Sequence, residues 1–221
     1  MGVWQRPDAR AFRDRHDAGI ALAALLQGYG RRNDVVVLAL PRGGVPVAFE
    51  VAAALHLPLD VFSVRKLGVP GHPELAMGAI ASGGVQVLNH DVLAWYRPSP
   101  DTVDAVASVE LRELERRERV YREGRPLVLV EGRTVILVDD GLATGSTMRA
   151  AVQAVRQLHA GRVVVAAPVG AADTCEAMRR VADEVVCALT PDHFVAVGAW
   201  YEDFSETTDE EVRRLLTETV W

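Results

Sequence analysis

The chain has 221 residues, with 24 Lys plus Arg against 30 Asp plus Glu and a formal net charge of −6 at pH 7. This acidic balance argues against a general nucleic-acid binder, and the apolar runs are too short to span a bilayer. A hydrophobic content of 49% is ample for one domain core, and Cys175 and Cys187 lack metal-ligand spacing, which predicts free thiols in a reducing cytoplasm.

The first predicted element is an amphipathic helix over Asp17–Tyr29 that serves packing. The charged residues before it, 12–17, form either a solvated arm or a segment beside a ligand. The composition of Val35–Leu40 predicts a buried strand, followed by the Gly-rich turn Pro41–Gly44 and a helix over Val47–Leu55. A turn between a strand and a helix is where α/β proteins bind ligands.

A third strand is predicted over Leu59–Arg65. The next segment, Lys66–Gly84, holds seven Gly or Pro in nineteen residues, which in our interpretation rules out a long regular element. We expect a functional or disordered loop there, ending in a small hairpin that pairs Ala79–Ala81 with Val85–Leu88. Thr102–Glu123 is predicted to be a long, solvated helix with i,i+4 ion pairs.

The most informative stretch begins with a buried strand over Thr134–Val138, which runs into two acids, Asp139 and Asp140. A turn rich in Gly and hydroxyls follows, and then a helical pattern from Met148 to Leu158. The elements predicted after it are strands over Arg162–Val169 and Glu184–Leu189, a helix over Asp173–Val181 and a terminal helix over Thr208–Leu216. The alternation predicts the α/β class, with a mostly parallel sheet covered on both faces.

The turn after the two acids has the chemistry of an anion site. Gly141 and Gly145 let the backbone curl, so that N–H groups and the positive end of the next helix point at one spot. The hydroxyls of Thr144, Ser146 and Thr147 can donate further hydrogen bonds. The acids suit a sugar diol or a magnesium ion instead of the phosphate. A phosphate next to a diol describes a ribose 5-phosphate.

The run Val135–Thr147 resembles the phosphoribosyl pyrophosphate motif of type I phosphoribosyltransferases. The resemblance implies a type I phosphoribosyltransferase-like fold, in which the acids hold the ribose hydroxyls and the loop holds the 5-phosphate. The residues that this implies for the subsite are Asp139, Asp140, Gly141, Leu142, Ala143, Thr144, Gly145, Ser146 and Thr147. A Walker A loop would need Gly-Lys-Ser/Thr, and this stretch has no Lys.

The earlier turn, Pro41–Gly44, resembles the loop that holds pyrophosphate in the same family. Arg42 would supply positive charge, while Gly43 and Gly44 would allow close backbone approach. The resemblance also implies a cis peptide bond between Pro41 and Arg42. A plain βα turn is the alternative for this segment.

The position of Lys66–Gly84 matches the mobile loop that closes over the site in this family. Arg65 and Lys66 at its base would then neutralise the leaving pyrophosphate. His72 and Glu74 are either carried inward by closure or remain exposed loop residues.

The segment Pro191–Phe204 resembles the base-binding hood of the 6-oxopurine phosphoribosyltransferases, though it is slightly longer. Phe194 matches an aromatic that stacks on the base, and a core aromatic is the alternative. Asp203 matches an acid near the pyrophosphate and metal. The 6-oxopurine enzymes, however, carry an Asp at the position of Ala143. An Ala at this position is typical of adenine-type members. The resemblance therefore does not name the acceptor.

Together these features predict a single domain over residues 1–221, with a core of about residues 31–189 and a hood mainly of residues 190–221 plus part of the N-terminal arm. The expected partners are phosphoribosyl pyrophosphate, a base-like small molecule and a second copy of the chain, with no nucleic acid or membrane. The expected catalytic residues are Arg42, Lys66 and Asp140, and the expected Mg²⁺ ligands are Asp139, Asp140 and Asp203. The alternatives are a non-catalytic sensor of the same ligands and an enzyme with a different acceptor.

Overall fold

The computed structural model describes residues 12–218. Its strands are β1 Val35–Ala39, β2 Leu59–Val61, β3 Val64–Val69, β4 His72–Ala81, β5 Val85–Leu88, β6 Thr134–Val138, β7 Arg162–Val169 and β8 Glu184–Leu189. Its helices are α1 Arg15–Leu25, α2 Gly44–Leu55, α3 His90–Tyr96, α4 Pro100–Arg122, α5 Ser146–Gln157, α6 Ala172–Met178 and α7 Asp209–Glu218. None of the helices in this part of the chain is long and apolar enough to cross a membrane.

Five strands form a parallel sheet in the order β2-β1-β6-β7-β8. All residues of β1 and β6 are buried because hydrophobic clusters cover both faces of the sheet. Helices α1, α2 and α7 contribute to the cluster on one face, and α5 and α6 contribute to the other. The predicted α/β class with a mostly parallel sheet is therefore confirmed.

The segment Lys66–Gly84 is not a loop, and the prediction that it contains no long regular element was wrong. Strands β3, β4 and β5 form an antiparallel sheet, in which β4 alone has ten residues. Two of the glycines in this segment occupy positions where a side chain would be unfavourable. A Cβ on Gly78 would lie 2.5 Å from the carbonyl oxygen of Val87, and Gly71 has a φ of +82° in the hairpin turn. The predicted hairpin is confirmed, with Ala81 paired to Val85.

The predicted strand Leu59–Arg65 is divided between the two sheets, since β2 pairs with β1 and β3 pairs with β4. Helix α4 makes the predicted surface ion pairs, such as Glu113 with Arg117, but it is not solvated all round. Ala107 and Leu114 on its inner face pack in the cluster that covers the antiparallel sheet. Helix α3 was not predicted.

The N-terminal arm and the C-terminal segment lie together beside β7. Phe12 forms a parallel bridge with Tyr201, and its N–H donates to the carbonyl oxygen of Trp200 at 2.8 Å. These three aromatics share a buried cluster with Val169. Residues 1–11 of the predicted arm and residues 219–221 of the predicted hood lie outside the described residues.

Candidate functional site

Two turns meet at the carboxyl edge of the parallel sheet because β1 and β6 are adjacent and in register, with Ala39 opposite Val138. The loop Pro41–Gly44 presses directly on the end of β6. A Cβ on Gly44 would lie 2.6 Å from the carbonyl oxygen of Val138, and a Cβ on Gly43 would overlap the Asp140 carboxylate. The two loops that the sequence resemblance assigned to one ligand are therefore in contact.

The Pro41–Arg42 peptide bond is cis, as the resemblance implied. The guanidinium of Arg42 pairs with Glu206 and lies 3.8 Å from Asp209, both on the C-terminal segment. Arg42 thus stands at the predicted site with its charge already compensated by two carboxylates.

The turn Gly141–Thr147 ends in an open helix terminus. Gly145, the N-cap residue of α5, has a φ of +68° and no side chain to cap the helix, and the N–H of Ser146 makes only a long hydrogen bond to Thr144 Oγ1 at 3.5 Å. The side chains of Thr144, Ser146 and Thr147 are exposed there. Free N–H groups beside exposed hydroxyls give this turn the features of an anion site.

Two residues of the predicted subsite, Leu142 and Ala143, make hydrogen bonds that hold the turn to the rest of the protein. Leu142 is buried, and its N–H donates to the carbonyl oxygen of Val169 at 2.9 Å, so it anchors the turn to β7. The carbonyl oxygen of the exposed Ala143 accepts a hydrogen bond from Thr174 Oγ1 at 2.6 Å.

The acid pair is half-buried and asymmetric. Asp139 Oδ1 accepts a hydrogen bond from the Asp140 N–H at 2.9 Å. Burial and the neighbouring Asp140 carboxylate raise the pKa of Asp139 well above its usual value. Burial also raises the pKa of Asp140, although Arg15 acts in the opposite direction. Asp140 is therefore the better candidate for the ionised member of the pair.

Arg15 is the residue of this site that the sequence did not single out. Its Nε and Nη2 both lie 2.9 Å from Asp140 Oδ2, and the side chains are only 11% and 16% exposed. Nη1 donates to the carbonyl oxygen of Ser205 at 2.7 Å, and the guanidinium lies 4.0 Å from the centre of the Phe204 ring. The segment 12–17, which could have been a solvated arm, thus reaches the site. The sequence showed only that this segment is charged.

Tyr201 ties the hood to the same acid, since its hydroxyl donates to the carbonyl oxygen of Asp140 at 2.6 Å. Phe194 is half-buried against the aromatic cluster that contains Tyr201. Val197 packs on the turn Gly141–Thr147, because a Cβ on Gly141 would lie 2.5 Å from its Cγ1. The C-terminal segment therefore covers both the acid pair and the start of the turn.

Asp203 does not join the acid pair. Its carboxylate accepts from the N–H of Ser205 at 2.9 Å, and this hydrogen bond lowers the pKa of Asp203. Within residues 12–218, no group of three or more His, Cys, Asp or Glu side chains is placed to hold a metal ion. The three predicted magnesium ligands, which also include Asp139 and Asp140, are thus not assembled into one site by the protein.

Arg65 and Lys66 point to opposite faces of β3, as consecutive strand residues do. Arg65 pairs with Glu110 of α4 at 2.5 Å, so it faces away from the turn. Lys66 lines a cleft of about 740 Å³ together with Glu74 and with Thr144, Ser146 and Thr147 of the turn. His72 is exposed and lies 3.8 Å from Glu74. Lys66 thus shares a cleft with the turn, whereas Arg65 pairs with α4.

Relatives of known sequence match most of the chain. The family model of the phosphoribosyl transferase domain matches residues 12–204. Proteins of Mycobacterium tuberculosis strains H37Rv and CDC 1551, provisionally named phosphoribosyl transferases, are each 50% identical over 207 residues, or 94% of this chain. The chain spans 46% of the length of these relatives.

Solved structures show the same arrangement of elements. The crystal structure of the TT1426 protein from Thermus thermophilus has a TM-score of 0.84 and 45% identity, covering 96% of this chain and 100% of that chain. The AQ2163 protein from Aquifex aeolicus has a TM-score of 0.50 and 10% identity, covering 83% of this chain and 78% of that chain. The second likeness shows the fold alone.

Proposed function

The chain belongs to the phosphoribosyl transferase domain family, and from that premise we propose that it moves ribose 5-phosphate from phosphoribosyl pyrophosphate to a base-like nitrogen acceptor. Pyrophosphate is the leaving group. The observation that carries the proposal is the contact between the Pro41–Gly44 loop and the acid pair at the carboxyl edge of the parallel sheet. The Pro41–Gly44 turn suits a diphosphate, the two carboxylates suit a ribose diol, and the Gly141–Thr147 turn suits a 5-phosphate. These three groups follow one another in the same order in phosphoribosyl pyrophosphate.

In this proposal the turn Gly141–Thr147 holds the 5-phosphate through backbone N–H groups and exposed hydroxyls. Asp139 is the better placed acid for the ribose diol, since Arg15 already occupies the Asp140 carboxylate. Asp140, held by Arg15, keeps its neighbour in position. Lys66 faces the turn across the cleft and supplies positive charge to the departing diphosphate.

Arg42 must exchange partners for the proposed reaction. It now pairs with Glu206, and a diphosphate bound at the Pro41–Gly44 loop would compete with that carboxylate for the guanidinium. The C-terminal segment that carries Glu206 also packs on the acid pair through Tyr201. Donor binding is therefore expected to loosen the contact between this segment and Arg42.

Magnesium fits this site only as part of a donor complex. Asp140 is occupied by Arg15 and Asp203 stands apart, so Asp139 is the one carboxylate of the predicted three that remains for such an ion. An ion that keeps most of its ligands from diphosphate oxygens and water suits such a protein surface. Bound Mg²⁺ would neutralise charge on the leaving pyrophosphate.

The acceptor is the least defined part of the proposal. Phe194 presents a ring in the hood, but its contact with the aromatic cluster also fits a purely structural role. A sensor that binds the same ligands without catalysis is the alternative function, and Arg42 held by Glu206 is the observation that favours it. We expect a cytoplasmic homodimer in either case. Acceptor-dependent pyrophosphate release separates the two.

The test is calorimetric titration with phosphoribosyl pyrophosphate and Mg²⁺, comparing the wild-type protein with Asp139→Asn. Loss of a hydrogen bond costs about 0.5–1.5 kcal/mol, so affinity should fall about two- to tenfold. Asp173→Asn, an exposed acid on α6, is the matched control and should bind like the wild type. Equal affinity of wild type and Asp139→Asn would remove the acid pair from the donor site.

Catalysis is tested separately by pyrophosphate release over adenine, hypoxanthine, guanine, uracil and orotate. Release with at least one base supports the transferase. Donor binding without release with any base supports the sensor. Phe194→Ala should lower apparent acceptor affinity about tenfold or more while donor affinity stays, because one stacked base is worth about 1–3 kcal/mol.

A further inference from the structure

The two cysteines of the chain face each other next to the phosphate turn. Cys175 on α6 and Cys187 on β8 have their Sγ atoms 3.3 Å apart. Cys175 is buried and Cys187 is partly exposed. A Cβ on Gly170 would lie 2.6 Å from the first sulfur and 3.0 Å from the second, so the glycine leaves the space that both sulfurs occupy. The pair is thus built into the packing at the end of β7.

A backbone bridge joins this pair to the turn. Leu142 bridges Gly170 in parallel, and Leu142 N–H donates to the carbonyl oxygen of Val169 at 2.9 Å. Ala171 N–H returns a hydrogen bond to the carbonyl oxygen of Leu142 at 3.0 Å. The glycine that touches both sulfurs is therefore hydrogen-bonded, through its neighbours, to the second residue of the turn.

Helix α6 provides a second connection. Thr174, next to Cys175 in the chain, donates from Oγ1 to the carbonyl oxygen of Ala143 at 2.6 Å. A Cβ on Gly145 would lie 2.7 Å from Thr174 Cγ2. A movement of α6 would consequently act directly on the turn residues that precede α5, because packed interiors transmit displacement.

We propose that Cys175 and Cys187 are a redox modification site, whose reversible disulfide shifts α6 and lowers the affinity of the Gly141–Thr147 turn for a phosphate group. A disulfide requires the sulfurs to approach to about 2.05 Å, which is more than 1 Å closer than the thiol pair. Helix α6 has only seven residues, so it moves as a unit with Cys175 and carries Thr174 along. This coupling rests on the phosphate site proposed above for the turn, but not on which acceptor the protein uses.

The oxidant of this step is a peroxide. One cysteine thiolate attacks the O–O bond of hydrogen peroxide, which forms an S–O bond and releases hydroxide. The thiol of Cys187, whose pKa the hydrogen bond with Cys175 raises, then attacks that sulfur. The S–O bond breaks and the leaving hydroxide takes the proton of this thiol, while the first hydroxide takes the proton that Cys175 released, so that two water molecules form. The hydrogen bond with Cys187 lowers the pKa of Cys175 to about 7, so a thiolate is present at neutral pH. A dithiol reductant reverses the step.

The experiment treats the full-length protein with hydrogen peroxide and measures three quantities. Mass spectrometry after blocking of free thiols counts the disulfide. Hydrogen exchange reports the backbone amides of residues 142–147. Calorimetry with ribose 5-phosphate reports the anion affinity of the turn. Oxidation should form the Cys175–Cys187 disulfide, raise amide exchange in the turn severalfold and lower ribose 5-phosphate affinity about tenfold, with recovery after reduction.

Two variants make the outcome decisive. Cys187→Ser should abolish all three effects of peroxide. Thr174→Val removes the hydroxyl that holds Ala143, so the disulfide should form as in the wild type while exchange in the turn no longer responds fully. Failure to form the disulfide, or a disulfide that leaves turn exchange unchanged in the wild type, would overturn the proposal. If ribose 5-phosphate does not bind the reduced protein, the proposed transferase site fails, and the exchange measurement still decides the redox coupling.

Discussion

Glycine occurs at close backbone contacts in both sheets of the molecule, but in different settings. At the parallel sheet, Gly44 lies in a turn that presses on the end of β6, with its Cβ position 2.6 Å from a carbonyl oxygen. At the antiparallel sheet, Gly78 lies inside β4, with its Cβ position 2.5 Å from a carbonyl oxygen of β5. Nearly equal contacts thus serve a turn at the edge of the parallel sheet in one place and the pairing of two antiparallel strands in the other.

The comparison shows that glycine density reports close approach of backbones, not the absence of regular structure. The two regions also differ in how they are tied to the rest of the chain. The parallel edge is fastened by the nearly buried pair of Arg15 and Asp140, whereas the antiparallel sheet is joined to α4 by the more exposed pair of Arg65 and Glu110. This difference predicts unequal effects of removing each contact.

The largest effect is expected for Arg15→Ala. It leaves Asp140 without its charge partner in a mostly buried position, and breaking such a pair costs about 3 kcal/mol of unfolding free energy. Urea unfolding measures the change. Arg13→Ala, which removes an exposed pair with Asp17 near the start of the same helix, should change stability little. Similar losses in both variants would mean that the Arg15 contact is no more than a surface pair.

The next effect tests the two glycines directly. Gly44→Ala and Gly78→Ala each force a methyl group against backbone, which costs about 1–3 kcal/mol. Gly28→Ala is the control, since nothing lies within 4 Å of its Cβ position. If Lys66–Gly84 were an open loop in solution, Gly78→Ala would behave like Gly28→Ala in urea unfolding, and the strand assignment would be contradicted.

Sequence patterns identified the parallel sheet well because a buried strand is a continuous apolar run. Thr134–Val138, Arg162–Val169 and Glu184–Leu189 were predicted with the bounds that the structure has. The greater part of β3 and β4 was missed because Gly and Pro, which break strands on average, meet specific contacts in β4. Propensity describes a residue alone, and the carbonyl of Val87 that excludes a side chain at Gly78 is 9 positions away in the sequence.

The site shows the same difference. Motifs within one short stretch of sequence were predicted, and contacts between distant residues were not. The turns at Pro41–Gly44 and Gly141–Thr147 are local motifs, so the sequence located them. The pairing of Arg15 with Asp140 joins residues 125 positions apart, and no local pattern marks it. Glu206, which pairs with Arg42, is also far from it in the sequence. The sequence thus located the two turns but not the charges that are already compensated beside them.

The smallest expected effect is a change of the unfolding free energy with pH. It distinguishes Asp139 of the core from Asp203 of the hood. The pKa of Asp139 is raised in the folded protein, first by burial and then by the charge of Asp140. Above its ordinary pKa of 3.8 the unfolded chain has lost this proton while the folded protein retains it, so this group makes stability fall as pH rises. The unfolding free energy of Asp139→Asn, minus that of the wild type, should therefore increase as pH rises above about 4.

Asp203→Asn is the control with the opposite sign. The Ser205 N–H lowers the pKa of Asp203, so its contribution is present above the ordinary pKa of 3.8 and is lost only as pH falls below it. The difference between Asp203→Asn and the wild type should thus be flat from about pH 5 to pH 8, whereas the Asp139→Asn difference rises until the folded protein loses the Asp139 proton. Urea unfolding in metal-free buffer across this range measures both differences. A flat Asp139→Asn difference would show that the acid nearest the proposed ribose diol ionises as readily as an exposed carboxyl group, and the burial of the parallel edge would not be affecting its charge.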